Sequence, residues 1–168
     1  MENIALVLFP ALMVFAAFSD LLTLTIPNMI SLVLILLYFA LSAWIGTPLF
    51  VITLHVCCGL VVLAISFVLF EMGIIGGGDA KLASATALWL GFENLMDYAV
   101  AFSFIGGGLA MAIISLRWHT HADQGQSVSL LGRLADKAVN RMPYGVALGI
   151  AGMLLYPHST IWHGLAGV

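Results

Sequence analysis

Long apolar stretches, separated by short polar breaks rich in glycine and proline, run through this chain from near its first residue. Apolar runs cover 4–19, 29–45, 49–70, 82–92, 98–116 and 143–156. A helix crossing a bilayer takes about 20 such residues. The pattern therefore predicts an all-α integral membrane protein, a bundle of about six transmembrane helices. The fourth run is the shortest: it ends at Glu93, and either continues to Met96, tilts, or enters the membrane only in part. The one sizeable polar stretch, 118–142, is expected to be a loop between the fifth and sixth spans.

Composition agrees with this pattern. The chain is 62% hydrophobic and 8% charged, with a mean hydropathy of +1.14, far from the roughly 25% charged of soluble domains. Six spans in 168 residues leave no room for a separate soluble domain, so residues 1–168 are expected to form a single transmembrane domain surrounded by lipid. Only five residues are basic, which gives no sign of a nucleic-acid partner. Cys57 and Cys58 are adjacent within an apolar run; that spacing suits neither an intrachain disulfide nor a zinc site, and they read as packing residues. The N-terminus lacks the basic region of a cleavable secretory signal, so 4–19 reads as a retained first span.

Charge placement sets the orientation, because cytoplasmic loops carry the excess of Lys and Arg. With the N-terminus outside, alternation of six spans puts Lys81, Arg117, Arg133, Lys137 and Arg141 all on the cytoplasmic side. Glu2, Glu93 and Asp97 fall outside. One span more or fewer would break that partition. The same alternation brings Asp20 and Asp79 to cytoplasmic helix ends.

Ionisable groups at membrane depth are costly and usually have a task. Two neighbouring carboxyls cannot both ionise cheaply, so such a pair shares one proton: one acts as general base toward water, the other as general acid toward a carbonyl. Asp20 and Asp79 are the candidates for that dyad. Peptide hydrolysis by a dyad needs neither cofactor nor metal, and no His-Glu-x-x-His zinc signature occurs in the chain. Gly76, Gly77 and Gly78 precede Asp79, where the absence of side chains lets a substrate backbone pass close to the carboxylate. The simpler readings are a cap on the fourth helix for Asp79 and a headgroup-solvated helix end for Asp20.

Other positions carry weaker signals. Pro27 suits the first position of the second helix, and Asn28 either supports structure there or orients the dyad. Lys81 either steers an acidic group of the substrate or anchors at the interface. Tyr144 is either part of a substrate cleft or an interfacial tyrosine. Glu71 reads as a solvated helix end; His119, His121 and Asp123 form only a weak metal signal. His55, inside the third run, is expected to hydrogen-bond to a neighbouring helix, and Gly106 to Gly108 with Gly145-x-x-x-Gly149 suit close helix contacts.

Three motifs together resemble a known family. Asp20 followed by Ile26-Pro27-Asn28, then Gly76-Gly77-Gly78-Asp79-Ala80-Lys81-Leu82 leading to Leu88-Trp89-Leu90-Gly91, and finally Pro143-Tyr144-Gly145-Val146-Ala147, are similar to the type IV prepilin peptidases, GxGD-type aspartyl proteases. The order matches and the motifs span nearly the whole chain. The resemblance is closest to the short branch serving Flp, or tight-adherence, pili. It implies a bacterial inner-membrane endopeptidase that removes a prepilin leader at the cytoplasmic face, with a pilus or type II secretion-like machinery as partner. Asp20 and Asp79 match the family's catalytic aspartates. The paired-cysteine cytoplasmic domain of the long branch is missing, so N-methylation is not expected. Thr23-Leu24-Thr25 stands where many relatives carry basic residues, which points to a different mode of leader recognition.

Paired intramembrane carboxylates also build proton relays, which makes an ion- or proton-coupled transporter the main alternative. Against it, no inverted repeat with broken helices in matching halves is evident. A non-catalytic secretion component and a signal-peptide-peptidase-like enzyme are further alternatives; for the latter, Ser19 precedes the first aspartate where that group uses tyrosine.

Overall fold

The computed structural model describes residues 2–122 and 143–167, and every regular element among them is helical. They are α1 (Glu2–Thr23), α2 (Asn28–Ile45), α3 (Leu49–Glu71), α4 (Gly77–Ala122), α5 (Tyr144–Leu155), a 3-10 turn (Tyr156–His158) and α6 (Thr160–Ala166). Four segments are long and apolar enough to cross a membrane: Ala5–Thr23, Asn28–Ile45, Leu49–Glu71 and Gly77–Ser115. From residue 123 onward, the polar stretch expected as a loop lies outside the described residues, and so do Asp123, Arg133, Lys137 and Arg141.

Prolines and glycines set the joints. Pro27 and Pro48 occupy the N-cap positions of α2 and α3, so Pro27 stands one residue earlier than the first helical position expected for it. Gly46 closes α2 in the left-handed region at φ 75°, its N–H bonded to the carbonyl of Ser42.

The fourth and fifth apolar runs differ from expectation. They lie in one continuous helical element, α4, broken inside at Gly91, whose φ of 68° and ψ of 178° no helix contains. Asn94 donates to the carbonyl of His158, Gly106 lies against Ala147, and Gly145 lies against Asp20. The half of α4 after Gly91 therefore runs back toward the end that holds Asp79. Two runs are present, as the sequence suggests, but a single residue replaces the loop. The sixth run forms α5, which at 12 residues is shorter than a full crossing.

His55 explains why the break needs glycine. A Cβ on Gly91 would sit 2.8 Å from His55 Nε2, and the φ is one that side chains rarely adopt. The buried ring donates from Nδ1 to the Leu88 carbonyl at 2.9 Å and stacks on Tyr38 with centroids 5.7 Å apart. The expected hydrogen bond to a neighbouring helix is thus made, to the last turn before the break.

Phe9, Tyr38, Trp89 and Tyr156 knit α1, α2, α4 and the 3-10 turn together at the same end. Phe9 stacks on Tyr156 at 4.6 Å, and Trp89 Nε1 donates to the Leu34 carbonyl at 3.1 Å. Such aromatic pairs add about 0.5–1.5 kcal/mol beyond area burial. Cys58 is buried as a packing residue, whereas Cys57 is exposed on the apolar exterior. Large apolar side chains stand outside as well, Phe104 at 79% and Leu49 at 78% exposure, as suits helices apolar all round.

Gly91→Ala is expected to lower stability by about 2–4 kcal/mol, combining a left-handed side chain with overpacking against His55. Thermal unfolding of the detergent-solubilised protein measures this, and His55→Ala in the same chain should recover the clash portion. An unchanged midpoint for Gly91→Ala alone would contradict the assignment of the break.

Candidate active site

Asp20 lies in the last turn of α1, only 4% exposed among apolar neighbours. A buried carboxylate needs donors, and the start of α5 supplies them. The Gly145 N–H donates to Asp20 Oδ2 at 2.7 Å, and the Val146 N–H also bonds this carboxyl. The first N–H groups of a helix have no partner inside it and carry the positive end of its dipole. Asp20 thus acts as a cap supplied from another helix, 125 positions away in sequence.

Asp79 reaches the same place from the first turn of α4. Its Oδ2 accepts the Gly76 N–H at 3.2 Å, the reciprocal bond by which an acidic third residue closes a helix start. Its Oδ1 is buried with no hydrogen-bond partner. The cap reading and the dyad reading are therefore compatible: one oxygen caps, the other is free. Both aspartates line one cavity of about 180 Å³ with Leu24, Thr25, Ile26 and Gly76 to Gly78, and their charges interact across it. That volume holds on the order of ten waters.

The three glycines stand at the start of α4 and line the cavity. None of Gly76, Gly77 and Gly78 has a positive φ, and Gly77 and Gly78 already belong to α4. The space beside Gly78 is taken by the chain itself: a Cβ there would lie 3.1 Å from the Cβ of Ile26. The far side of Ile26 meets Gly145, where an added Cβ would sit 2.7 Å from Ile26 Cδ1 and 2.8 Å from Asp20 Oδ2. Ile26, 8% exposed, is therefore wedged between the two helix starts that serve the aspartates.

Pro27 and Asn28 continue from that wedge into α2, both exposed. Lys81 Nζ donates to Asn28 Oδ1 at 2.9 Å, tying the start of α2 to the first turns of α4. Tyr144 is half-buried with its ring 6.5 Å from that of Phe102, and is not among the residues lining the cavity. Its neighbour Gly145 touches Asp20 instead. Glu71 is exposed at the end of α3. Of the weaker glycine signals, Gly149 packs against α1, where a Cβ would lie 3.0 Å from the Met13 carbonyl oxygen, whereas Gly107 and Gly108 face open space.

Sequence reasoning passed over Gly145 and Ile26 as site residues, reading the first as helix packing and the second as a motif letter. The signal was a glycine at the second position of a helix, where a carboxylate from elsewhere reaches the exposed amide. Gly145→Ala should cost about 1–3 kcal/mol through forced displacement of Asp20 and Ile26, while Gly107→Ala should be neutral or stabilising by up to about 1 kcal/mol. Thermal midpoints of the two purified variants test this; equal midpoints would contradict the contact.

Comparison with curated proteins and with solved structures gave no match in either case. The model of the type IV leader peptidase family matches residues 7–115, a stretch that carries most of α1, all of α2 and α3, most of α4, and both cavity aspartates. The chain belongs to the type IV leader peptidase family.

Proposed function

We propose that this protein is a membrane-embedded aspartic endopeptidase that cuts the leader from Flp-type prepilins, with Asp20 and Asp79 as its catalytic pair. The observation that carries the reading is the shared cavity, which gathers carboxyls from α1 and α4 with room for water in an otherwise apolar bundle. The orientation follows the charge partition: N-terminus outside, six crossings in which each half of α4 and the short α5 counts as one, and the cavity opening at the cytoplasmic face of the bacterial inner membrane. A pilus or type II secretion-like assembly machinery then receives the trimmed pilin.

The chemistry divides between the carboxyls according to their surroundings. Asp20, facing two amide donors at a helix start, carries the negative charge. Asp79, with one oxygen unpartnered, carries the shared proton. A water between them gives a proton to Asp20 as its oxygen bonds to the scissile carbonyl carbon, and Asp79 protonates the carbonyl oxygen. When the tetrahedral species collapses, the C–N bond breaks, Asp20 passes its proton to the leaving amine, and Asp79 recovers one from a hydroxyl. Lys81 and Asn28 hold the α2 and α4 starts in register, and Gly76 to Gly78 keep the cavity wall thin.

Co-expression with an Flp-type prepilin tests the proposal by the size of the pilin on an immunoblot. The unmodified chain should shorten it. Asp20→Asn and Asp79→Asn should each reduce cleavage by at least about a thousandfold at matched membrane levels. Cleavage persisting in either variant would remove the dyad.

A further inference from the structure

Leu24 is the one non-glycine residue with a positive φ among the described residues, at 54°. It follows the last residue of α1, and its N–H bonds the Asp20 carbonyl at 2.8 Å, the left-handed helix ending in which glycine, or sometimes asparagine, normally stands. A leucine there is strained, and such strain persists only where the surroundings enforce it.

Three hydroxyls enforce it here. Ser19 Oγ donates to the Thr25 carbonyl at 3.0 Å, Thr23 Oγ1 bonds the Ser19 carbonyl at 2.8 Å, and the Thr23 and Thr25 hydroxyls lie 2.8 Å apart. The clamp closes the turn on either side of Leu24. Leu24, half-buried, lines the cavity of Asp20 and Asp79 together with Ile26 and the glycines at the start of α4. Among the described residues Leu24 and Ile26 are the only large apolar ones on that lining; the rest are aspartate, threonine and glycine.

We infer that Leu24 is a specificity-determining residue, held in a left-handed turn so that its side chain, with Ile26, receives an apolar side chain of the substrate beside the scissile bond. The inference rests on the peptidase reading and deepens it. It accounts for a strained leucine at a position where glycine would close the same turn freely. Glycine would leave Ile26 as the remaining large apolar residue on the described cavity wall, and the flanking substrate residue with less of the contact that places its carbonyl between the carboxyls.

The experiment compares the unmodified chain, Leu24→Gly and Leu24→Asn in liposomes with a prepilin whose two residues flanking the cut are varied through Ala, Leu and Phe. Both substitutions suit a left-handed φ, so the turn and the thermal midpoint should be retained or improved. The expected result is a rise in KM of about tenfold for the preferred apolar residue, with a flattened ranking of Ala, Leu and Phe at one flanking position. An unchanged KM and ranking in both variants would overturn the inference while leaving the peptidase reading in place. So would a loss of stability with the ranking intact, which would make Leu24 a structural residue. If the unmodified chain cleaves none of the prepilins, the peptidase reading falls, and this inference with it.

Discussion

Two carboxyl groups inside an apolar bundle are the constraint around which the described structure is arranged. A buried charge without donors is expensive, and Asp20 is almost fully buried. The cheapest donors available are the unpaired amides at a helix start. The start of α5 therefore has to reach the end of α1, with no side chain on Gly145 to hold it off. Asp79 solves the same problem within its own element, through the amide of Gly76. The two solutions leave the carboxyls in unequal surroundings over one cavity.

The bundle separates rigidity from reactivity along its length. Contacts among the aromatic rings of Phe9, Trp89 and Tyr156 and the His55 contact at the Gly91 break fix the helices at one end. At the other end, small residues and one wedged isoleucine let three chain segments approach closely enough to share a cavity. Fixed distant contacts of this kind let glycine-lined helix starts hold their geometry without bulky packing around the carboxyls.

The apolar runs were legible because hydropathy over some twenty residues reports the solvent of a helix whatever its neighbours. Asp20 and Asp79 stood out for the complementary reason: a carboxylate at the edge of such a run is conspicuous. Gly91 was not, because a glycine in an apolar run reads equally as packing, and only the His55 ring shows that it is a break. The Asn28 to Lys81 bond joins residues 53 positions apart, and neither residue names its partner. Nothing in the sequence pointed to Ile26 as the residue that fills the space beside Gly78. Leu24 was invisible as a conformational outlier, since its φ is set by hydroxyls on both sides of the turn.

The most direct test of a dyad built within one chain is complementation between its halves. Purified Asp20→Asn and Asp79→Asn proteins would be reconstituted together in liposomes with an Flp-type prepilin, beside the unmodified chain, and the cleaved fraction measured. A cavity made by α1 and α4 of the same chain predicts that the unmodified chain cleaves and the mixture stays as inactive as either variant alone. Cleavage restored in the mixture would mean that the two carboxyls need not come from one cavity, and would contradict the account.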